Sequence, residues 1–272
     1  MSRTKRALNR ALAFAHRQLE RGARVVPEIA LALLDDPDVV EDGIVRHYGP
    51  ATQYVDAAHQ RLGLYPFERR AVTEHFPPPP ARLLVPGAGA GREMIALRAL
   101  GYEAEGFDAS PALVASAARA LGPEAVRLET LQAWARDVTR RGVGEPYAGI
   151  VTGWTLWTHL VRSADRLAAL EAFRVACPAG PVLLSFWPRG RAFDLEEGAV
   201  RPRPDARWLR VIRALRRAPP EPGTAWTDGM FAHLVGEEEL TTEAAAAGYR
   251  VVWFERDVAR FPNAVLLPTM DL

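Results

Sequence analysis

Three alternating glycines and an aspartate follow an apolar run at a spacing that can bind a nucleoside. Gly87, Gly89 and Gly91 form a G-A-G-A-G turn after residues 83–85, and Asp108 closes the next apolar segment. Glycines keep side chains out of the way, so a ligand can approach the backbone of such a turn closely. A carboxylate accepts two hydrogen bonds, which suits the vicinal hydroxyls of a ribose. These residues therefore indicate a site for a ligand that contains ribose.

The elements around these residues must form a β-α-β unit to bring them together. Residues 83–85 are typical of a strand buried on both faces, and the apolar positions after the turn recur at helical spacing. A second strand at 104–107 would then carry Asp108 at its carboxyl end. The sequence predicts further strands at 125–129, 147–152, 181–186, 250–255 and 264–267, and helices at 111–120, 162–177 and 236–248.

The spacing of the glycines distinguishes between nucleoside cofactors. The dinucleotide fingerprint requires glycine at the first, third and sixth positions of the turn, and here the sixth position is Arg92. A guanidinium does not fit where the helix and strand of that motif must touch. A nicotinamide-dependent oxidoreductase is therefore a weaker interpretation, which binding of labelled cofactors would test.

The order of turn, helix, strand and acidic residue resembles motif I and the acidic residue after it in the class I S-adenosylmethionine-dependent methyltransferases. The resemblance implies a Rossmann-like α/β fold with a seven-stranded, mostly parallel sheet and an antiparallel last strand. S-adenosylmethionine would be the cofactor and S-adenosylhomocysteine the product. The family usually has an acidic residue where this chain has Val85, so the group that holds the methionyl ammonium is not identified. The cofactor-binding residues implied are Pro86, Gly87, Ala88, Gly89, Gly91, Arg92, Asp108, Ala109, Ser110, Leu131, Gln132 and Gly153.

Aromatic residues flank the predicted cleft on both sides. One group follows the fourth and fifth strands, at the edge where open α/β sheets bind ligands. Another group precedes the first strand, in the segment that folds over the cofactor as a lid in the methyltransferases that this chain resembles. Packing in a core is the alternative role for such side chains. On the resemblance we expect Tyr48 and His159 as catalytic residues, and Tyr54, Trp154, Trp157 and Trp187 as substrate contacts.

A proline run suggests how the chain is divided. Residues 77–80 are four consecutive prolines, which favour a stiff extended linker. We therefore predict an N-terminal helical cap over 1–76 and a methyltransferase-like domain over 77–272. A Pro- and Arg-rich insertion is expected at about 191–224.

Composition excludes several classes of function. Lys5 is the only lysine, so neither a P-loop nor a pyridoxal Schiff base has a suitably placed lysine. Cys177 is the only cysteine, and the histidines show no metal-ligand spacing. The net charge of +1 gives no global field for nucleic acid, and no apolar run is long enough for a membrane span. We expect a cytoplasmic protein that binds neither nucleic acid, membrane nor metal.

These observations favour methyl transfer to an O, N or S atom of a small molecule, such as a secondary metabolite. The alternative from another class is a regulatory or scaffold protein that binds the cofactor but has lost catalysis. Cofactor binding is expected of both, so only turnover separates them. The identity of the methyl acceptor and the oligomeric state are not encoded in any motif of the chain.

Overall fold

The structure is a computed structural model that describes residues 30, 37–49, 53–189, 221–227, 230–255 and 263–269. Residues 1–29 and 31–36 of the predicted helical cap therefore lie outside the described residues. Most of the predicted insertion at 191–224 lies outside them as well.

Helices and strands alternate through most of the described chain. The helices are α1 (Pro37–His47), α2 (Ala57–Gln60), α3 (Pro66–His75), α4 (Arg92–Ala99), α5 (Pro111–Leu121), α6 (Leu131–Arg141), α7 (Ser163–Ala176) and α8 (Glu237–Ala246). Short 3₁₀ turns cover Gln53–Val55 and Leu156–His159. The strands are β1 (Arg82–Pro86), β2 (Glu103–Asp108), β3 (Val126–Leu128), β4 (Gly149–Val151), β5 (Val182–Ser185), β6 (Thr224–Thr227), β7 (Met230–His233), β8 (Tyr249–Phe254) and β9 (Asn263–Pro268).

Seven of these strands form one sheet in the order β3-β2-β1-β4-β5-β9-β8. Strands β1 to β5 are parallel, whereas β9 runs antiparallel to both of its neighbours. The predicted seven-stranded, mostly parallel sheet with an antiparallel last strand is therefore confirmed. Strands β6 and β7 pair separately as an antiparallel hairpin.

The strand order reverses between β1 and β4, which creates the crevice where open α/β sheets bind ligands. The loops that leave these two strands touch each other, because the Gly153 amide donates to the Pro86 carbonyl over 2.8 Å. A Cβ atom at Gly153 would lie 1.8 Å from the Gly87 carbonyl oxygen. Only glycine fits this contact, so Gly153 brings the end of β4 against the glycine turn.

Two capped helices set the positions of the loops beside this crevice. The Ser110 hydroxyl accepts the Leu113 amide at the start of α5, and the Thr130 hydroxyl accepts the Ala133 amide at the start of α6. Pro111 occupies the first turn of α5, where its missing N–H leaves no bond unmade. Because these helices begin directly after β2 and β3, the caps hold both loops at the same edge of the sheet.

The core lies on both faces of the sheet, and it includes part of the predicted cap. Leu83, Leu84 and Val85 of β1 are fully buried, as the apolar run predicted. Helix α3 also packs into this core through Ala71 and Val72, which share a cluster with β1. The boundary predicted between residues 76 and 77 therefore falls inside one hydrophobic core.

None of the helices in the described ranges combines the length and the apolar character needed to traverse a bilayer.

Candidate active site

A cavity of about 500 Å³ opens at the crevice, under helix α1 and its following turn. Ligand sites range from about 300 to 1,000 Å³, so the space suits a small molecule. The predicted site residues that line it are Tyr48, Tyr54, Gly87, Ala88, Gly89, Arg92, Asp108, Ala109, Ser110, Leu131, Gln132, Trp154 and His159.

The glycine turn exposes its backbone to this cavity. Gly87 and Gly89 have φ angles of 64° and 56°, in the left-handed region that side chains with a Cβ rarely adopt. A Cβ at Gly89 would meet nothing closer than Leu113 Cδ1 at 3.9 Å. The space beside Gly89 is therefore open, and a ligand can lie against the backbone there.

Asp108 joins the glycine turn to the end of β2. Its Oδ2 accepts the Gly89 amide over 2.9 Å, and its Oδ1 accepts the Ser110 amide over 2.8 Å. Burial raises the pKa of the Asp108 carboxyl, while these two amides act in the opposite direction because they stabilise the charged form. Each carboxylate oxygen retains a lone pair for a further donor. The arrangement can accept two ribose hydroxyls without moving.

The segment before β1 is fastened to the ligand side of the sheet. The Ser110 hydroxyl donates to the Tyr48 carbonyl over 2.9 Å, in the turn that ends α1. Further along, the Gln60 amide group donates to the Ala90 carbonyl over 2.8 Å. The cap thus contacts both the loop that carries Asp108 and the glycine turn, as a lid over the cofactor would.

A tyrosine and a histidine from opposite sides of the cavity form a hydrogen-bonded pair. Tyr48 Oη lies 3.0 Å from His159 Nε2, and their rings meet edge to face with centroids 5.5 Å apart. Burial, assisted by His47, lowers the pKa of His159 to about 4. Burial raises the pKa of Tyr48. Both side chains are therefore neutral near pH 7, and the pair can share or relay a proton at the His159 ring.

Aromatic rings continue from this pair along one wall of the cavity. The ring centroid of Tyr54 lies 5.4 Å from that of Tyr48 and 6.2 Å from that of Trp154. Tyr65 approaches Trp154 from the other side at 5.8 Å. The wall combines the segment before β1 with the loop after β4, so aromatics flank the crevice from both sides as predicted.

Arg92 lines the cavity, but its guanidinium is bound within the protein. Arg92 Nη1 and Nη2 donate to Glu68 Oε2 and Oε1 over 2.8 and 2.6 Å, and Nη1 also donates to the Gly63 carbonyl over 2.6 Å. The guanidinium lies over the Tyr65 ring, 4.1 Å from its centroid. The guanidinium therefore anchors α3 to the first turn of α4, and the contact of Arg92 with a cofactor stays a prediction.

The two tryptophans predicted as further substrate contacts lie away from the cavity. Trp157 is fully buried and packs in the core near Phe173, with ring centroids 6.4 Å apart. Trp187 follows β5, and its amide donates to the Thr158 hydroxyl over 2.7 Å behind the 3₁₀ turn. Neither tryptophan lines the cavity. The fully buried position of Trp157 in the core contradicts its predicted contact with a substrate, whereas that of Trp187 stays a prediction.

Three predicted cofactor contacts shape the crevice without lining it. Pro86 and Gly153 bond to each other through their backbones, as described above. Gly91 has a φ of 91° and forms the N-cap of α4, where a Cβ would lie 2.7 Å from Leu121 Cδ1. These residues allow close packing of the loops beside the cavity, and their contact with the cofactor stays a prediction.

The most informative residue that the sequence did not single out is Glu93. It lies in the first turn of α4, is only 4% exposed and lines the cavity. Its position two residues after Gly91 could have marked Glu93 as a candidate ligand contact, since this chain has Val85 where the resembling family usually has an acidic residue. Other lining residues, among them Ile44, Leu156 and Phe231, come from distant elements and carry no motif.

Among the described residues, no group of three or more His, Cys, Asp or Glu side chains is placed to hold a metal ion.

The sequence itself matches no protein-family model and no curated protein. Solved structures do match. The 1,6-didemethyltoxoflavin-N1-methyltransferase of Burkholderia thailandensis, with bound 1,6-didemethyltoxoflavin and S-adenosylhomocysteine, gives a TM-score of 0.55 at 18% identity, covering 86% of this chain and 88% of that one. A methyltransferase of Bacteroides fragilis in complex with S-adenosylhomocysteine gives a TM-score of 0.53 at 16% identity, covering 86% of this chain and 95% of that one. A methyltransferase of Methanosarcina mazei gives a TM-score of 0.53 at 16% identity, covering 77% of this chain and 100% of that one.

This chain has the class I methyltransferase fold. The similarity spans the sheet and its helices. In open α/β sheets ligands bind where the strand order reverses, which in this chain is the crevice between β1 and β4. At such low identities the likeness establishes the fold alone. The function therefore depends on the residues that line the cavity.

Proposed function

We propose that the protein is an S-adenosylmethionine-dependent methyltransferase that acts on a small molecule. The observation that carries this proposal is the Asp108 carboxylate, which the Gly89 and Ser110 amides hold at the end of β2 beside an open glycine turn. That geometry suits the ribose of a nucleoside cofactor. The class I methyltransferase fold makes S-adenosylmethionine the best-supported nucleoside, and two of the similar structures contain S-adenosylhomocysteine.

The residues of the crevice fit this cofactor along its length. Asp108 would accept the ribose hydroxyls, and Leu131 and Gln132, which line the cavity in the first turn of α6, would contact the adenine ring. The backbone at Gly89 would lie against the chain that links ribose to methionine. When bound, the cofactor would supply a methyl group on a sulfonium: an acceptor atom would bond to the methyl carbon as the carbon–sulfur bond breaks, with S-adenosylhomocysteine as the leaving group and no need for a metal.

The remainder of the cavity would hold the methyl acceptor. Tyr54 and Trp154 offer aromatic faces, which bind a partly apolar acceptor and also attract cations. Tyr48 and His159 would orient the acceptor, and the neutral His159 ring can take up a proton if the acceptor carries one. Enclosure by α1 would exclude water and fix the distance for in-line transfer.

The covered cavity favours a small acceptor over a macromolecule. The net charge of +1 gives no global field for nucleic acid, and the site lies beneath α1 and Tyr48 instead of on an open face. The Burkholderia thailandensis enzyme, which has the same fold, acts on a small heterocycle. No particular heterocycle or sugar is implied for this chain.

Methyl transfer from radiolabelled S-adenosylmethionine tests the proposal. The full chain is incubated with a metabolite extract, and the low-molecular-mass and macromolecular fractions are then counted separately. After chromatography removes unreacted S-adenosylmethionine from the low-molecular-mass fraction, we expect label in that fraction, and none there with heat-inactivated protein. Label confined to the macromolecular fraction would overturn the small-molecule assignment. Tight cofactor binding without transfer to either fraction would favour a cofactor-binding regulatory protein instead.

A further inference from the structure

A buried ion cluster beside the glycine turn contains two carboxylates and one guanidinium. Arg92 lies between Glu68 and Glu93, with its Nη2 2.6 Å from Glu68 Oε1 and 2.5 Å from Glu93 Oε1. The three side chains are between 2% and 5% exposed. With all three ionised, the cluster carries one excess negative charge in a setting where solvent screens it poorly.

The hydrogen bonds of the cluster show where this excess charge resides. Both oxygens of Glu68 bind Arg92, and Glu68 Oε2 also accepts the Tyr65 amide over 2.7 Å. Both carboxylate oxygens of Glu68 therefore have hydrogen-bond partners within the protein.

In Glu93, by contrast, only one of the two carboxylate oxygens accepts hydrogen bonds from described residues. Its Oε1 accepts from Arg92 Nη2 and from the Trp154 amide, the latter over 3.1 Å. Its Oε2 makes no hydrogen bond within the described part of the chain. Glu93 lines the cavity although it is only 4% exposed. Because the side chain is largely buried, water solvates this carboxylate poorly, so a ligand that donates to Oε2 stabilises it.

The position of Glu93 relates it to Asp108 across the crevice. Glu93 follows the glycine turn of β1 and bonds the loop after β4, whereas Asp108 ends β2 on the other side of β1. Adjacent strands lie about 4.8 Å apart, so a ligand that reaches from β2 to β4 spans on the order of 10 Å. A nucleoside held by its ribose at Asp108, with a chain lying over Gly89, would extend toward Glu93.

We propose that Glu93 Oε2 binds the ammonium of the cofactor's methionine portion. This inference rests on the proposed function, because it takes the ligand to be S-adenosylmethionine. The side chain at Val85 is apolar and faces the core, so it can offer no carboxylate to that ammonium. Arg92, held by Glu68, orients Glu93 Oε1 and leaves Oε2 for the ligand.

Isothermal titration with two ligands tests this assignment. S-adenosylhomocysteine carries the ammonium, whereas 5′-methylthioadenosine shares the adenosine and lacks the amino-acid portion. In Glu93→Gln we expect S-adenosylhomocysteine to bind about 10- to 100-fold more weakly, as for loss of a hydrogen bond to a charged group, and methylthioadenosine to bind as in the wild type. Glu103→Gln, which changes an exposed carboxylate on β2, should leave both affinities unchanged.

Each other outcome has a distinct meaning. Equal weakening of both ligands, or no weakening of either, overturns the role of Glu93. If the wild-type protein binds neither nucleoside, the proposed function itself fails, and this inference with it. A measurement on the wild type alone guards against a variant that does not fold: the desamino analogue of S-adenosylhomocysteine should bind at least about tenfold more weakly than S-adenosylhomocysteine. Equal binding of those two ligands would refute the ammonium contact.

Discussion

Tyr48 Oη lies 3.0 Å from His159 Nε2, and this hydrogen bond joins the turn after α1 to the loop after β4 across the cavity. The same tyrosine is held at its carbonyl by the Ser110 hydroxyl, beside Asp108. One residue therefore contacts both the proposed cofactor side and the proposed acceptor side. That position makes Tyr48 the link between closure of the cap and the chemistry of the site.

Removing the Tyr48 hydroxyl should reduce turnover without weakening the binding of the cofactor. Tyr48→Phe keeps the ring and the backbone contact to Ser110 but leaves His159 Nε2 without its partner. We expect kcat to fall on the order of 100-fold, as for a group that assists proton transfer, while the Kd of S-adenosylhomocysteine stays the same. Tyr54→Phe is the matched control, because Tyr54 contributes its ring to the same wall. Equal kcat values in the two variants would exclude a role for the Tyr48–His159 bond in turnover.

The depressed pKa of His159 predicts a specific loss of stability in acid. Burial lowers the pKa to about 4, whereas the unfolded chain should titrate near the ordinary value of about 6.5. As the pH falls through this interval, the unfolded state takes up the proton first, so the free energy of unfolding decreases. The total contribution is on the order of 3 kcal/mol and is complete below about pH 4.

Urea unfolding between pH 7 and pH 4 measures this contribution. His159→Gln should show a shallower decrease in stability over that range than the wild type. His75→Gln, a substitution of a half-buried histidine in the last turn of α3, should follow the wild-type curve. A His159→Gln curve parallel to that of the wild type would show that His159 does not titrate differently in the two states.

The buried Arg92–Glu68 pair should be far more important for stability than a surface pair on the same helix. Arg92→Leu leaves two desolvated carboxylates without their cation, and breaking such a pair costs about 3 to 5 kcal/mol. Arg70→Leu breaks the exposed pair with Glu74 and should cost no more than about 1 kcal/mol. Thermal unfolding of both variants checks the comparison. Similar melting temperatures for the two would mean that the buried cluster adds no stability.

Ligand binding at Asp108 should stabilise the segment before β1, because Ser110 connects the two. S-adenosylhomocysteine should slow hydrogen exchange of the backbone amides in residues 41–48, because a ligand on Asp108 steadies the loop whose Ser110 hydroxyl holds Tyr48. Ser110→Ala should abolish this protection, whereas Ser110→Thr, which keeps the hydroxyl and the helix cap, should retain it. Protection in Ser110→Ala equal to that of the wild type would show that the cap closes by another route.

The sheet and the position of Asp108 beside the glycine turn could be predicted because both follow from local patterns in the sequence. The buried run at Leu83–Val85, the glycine turn and Asp108 follow one another along the chain, so their order alone sets the unit. The predicted strands near β3, β4, β5, β8 and β9 all exist, with ends shifted by a few residues.

The remaining features depend on contacts between distant segments, which no local pattern encodes. Arg92 was expected at a ligand, yet Glu68, in a different helix, binds its guanidinium. Trp157 was expected in the pocket, but the short 3₁₀ turn directs it inward. Glu93 went unrecognised because its importance arises only when Arg92 and Trp154 occupy one of its oxygens and leave the other.

The affinity for S-adenosylhomocysteine, compared between the wild type and Asp108→Ala, tests the central claim most directly. The wild type should bind this nucleoside and not NAD, and loss of the carboxylate should cost about 1.5 to 3 kcal/mol of binding free energy, or roughly 10- to 100-fold in Kd. Asp137→Ala, which removes an exposed carboxylate on α6, should bind as the wild type does. An unchanged Kd in Asp108→Ala, or binding of NAD in place of S-adenosylhomocysteine, would contradict the account.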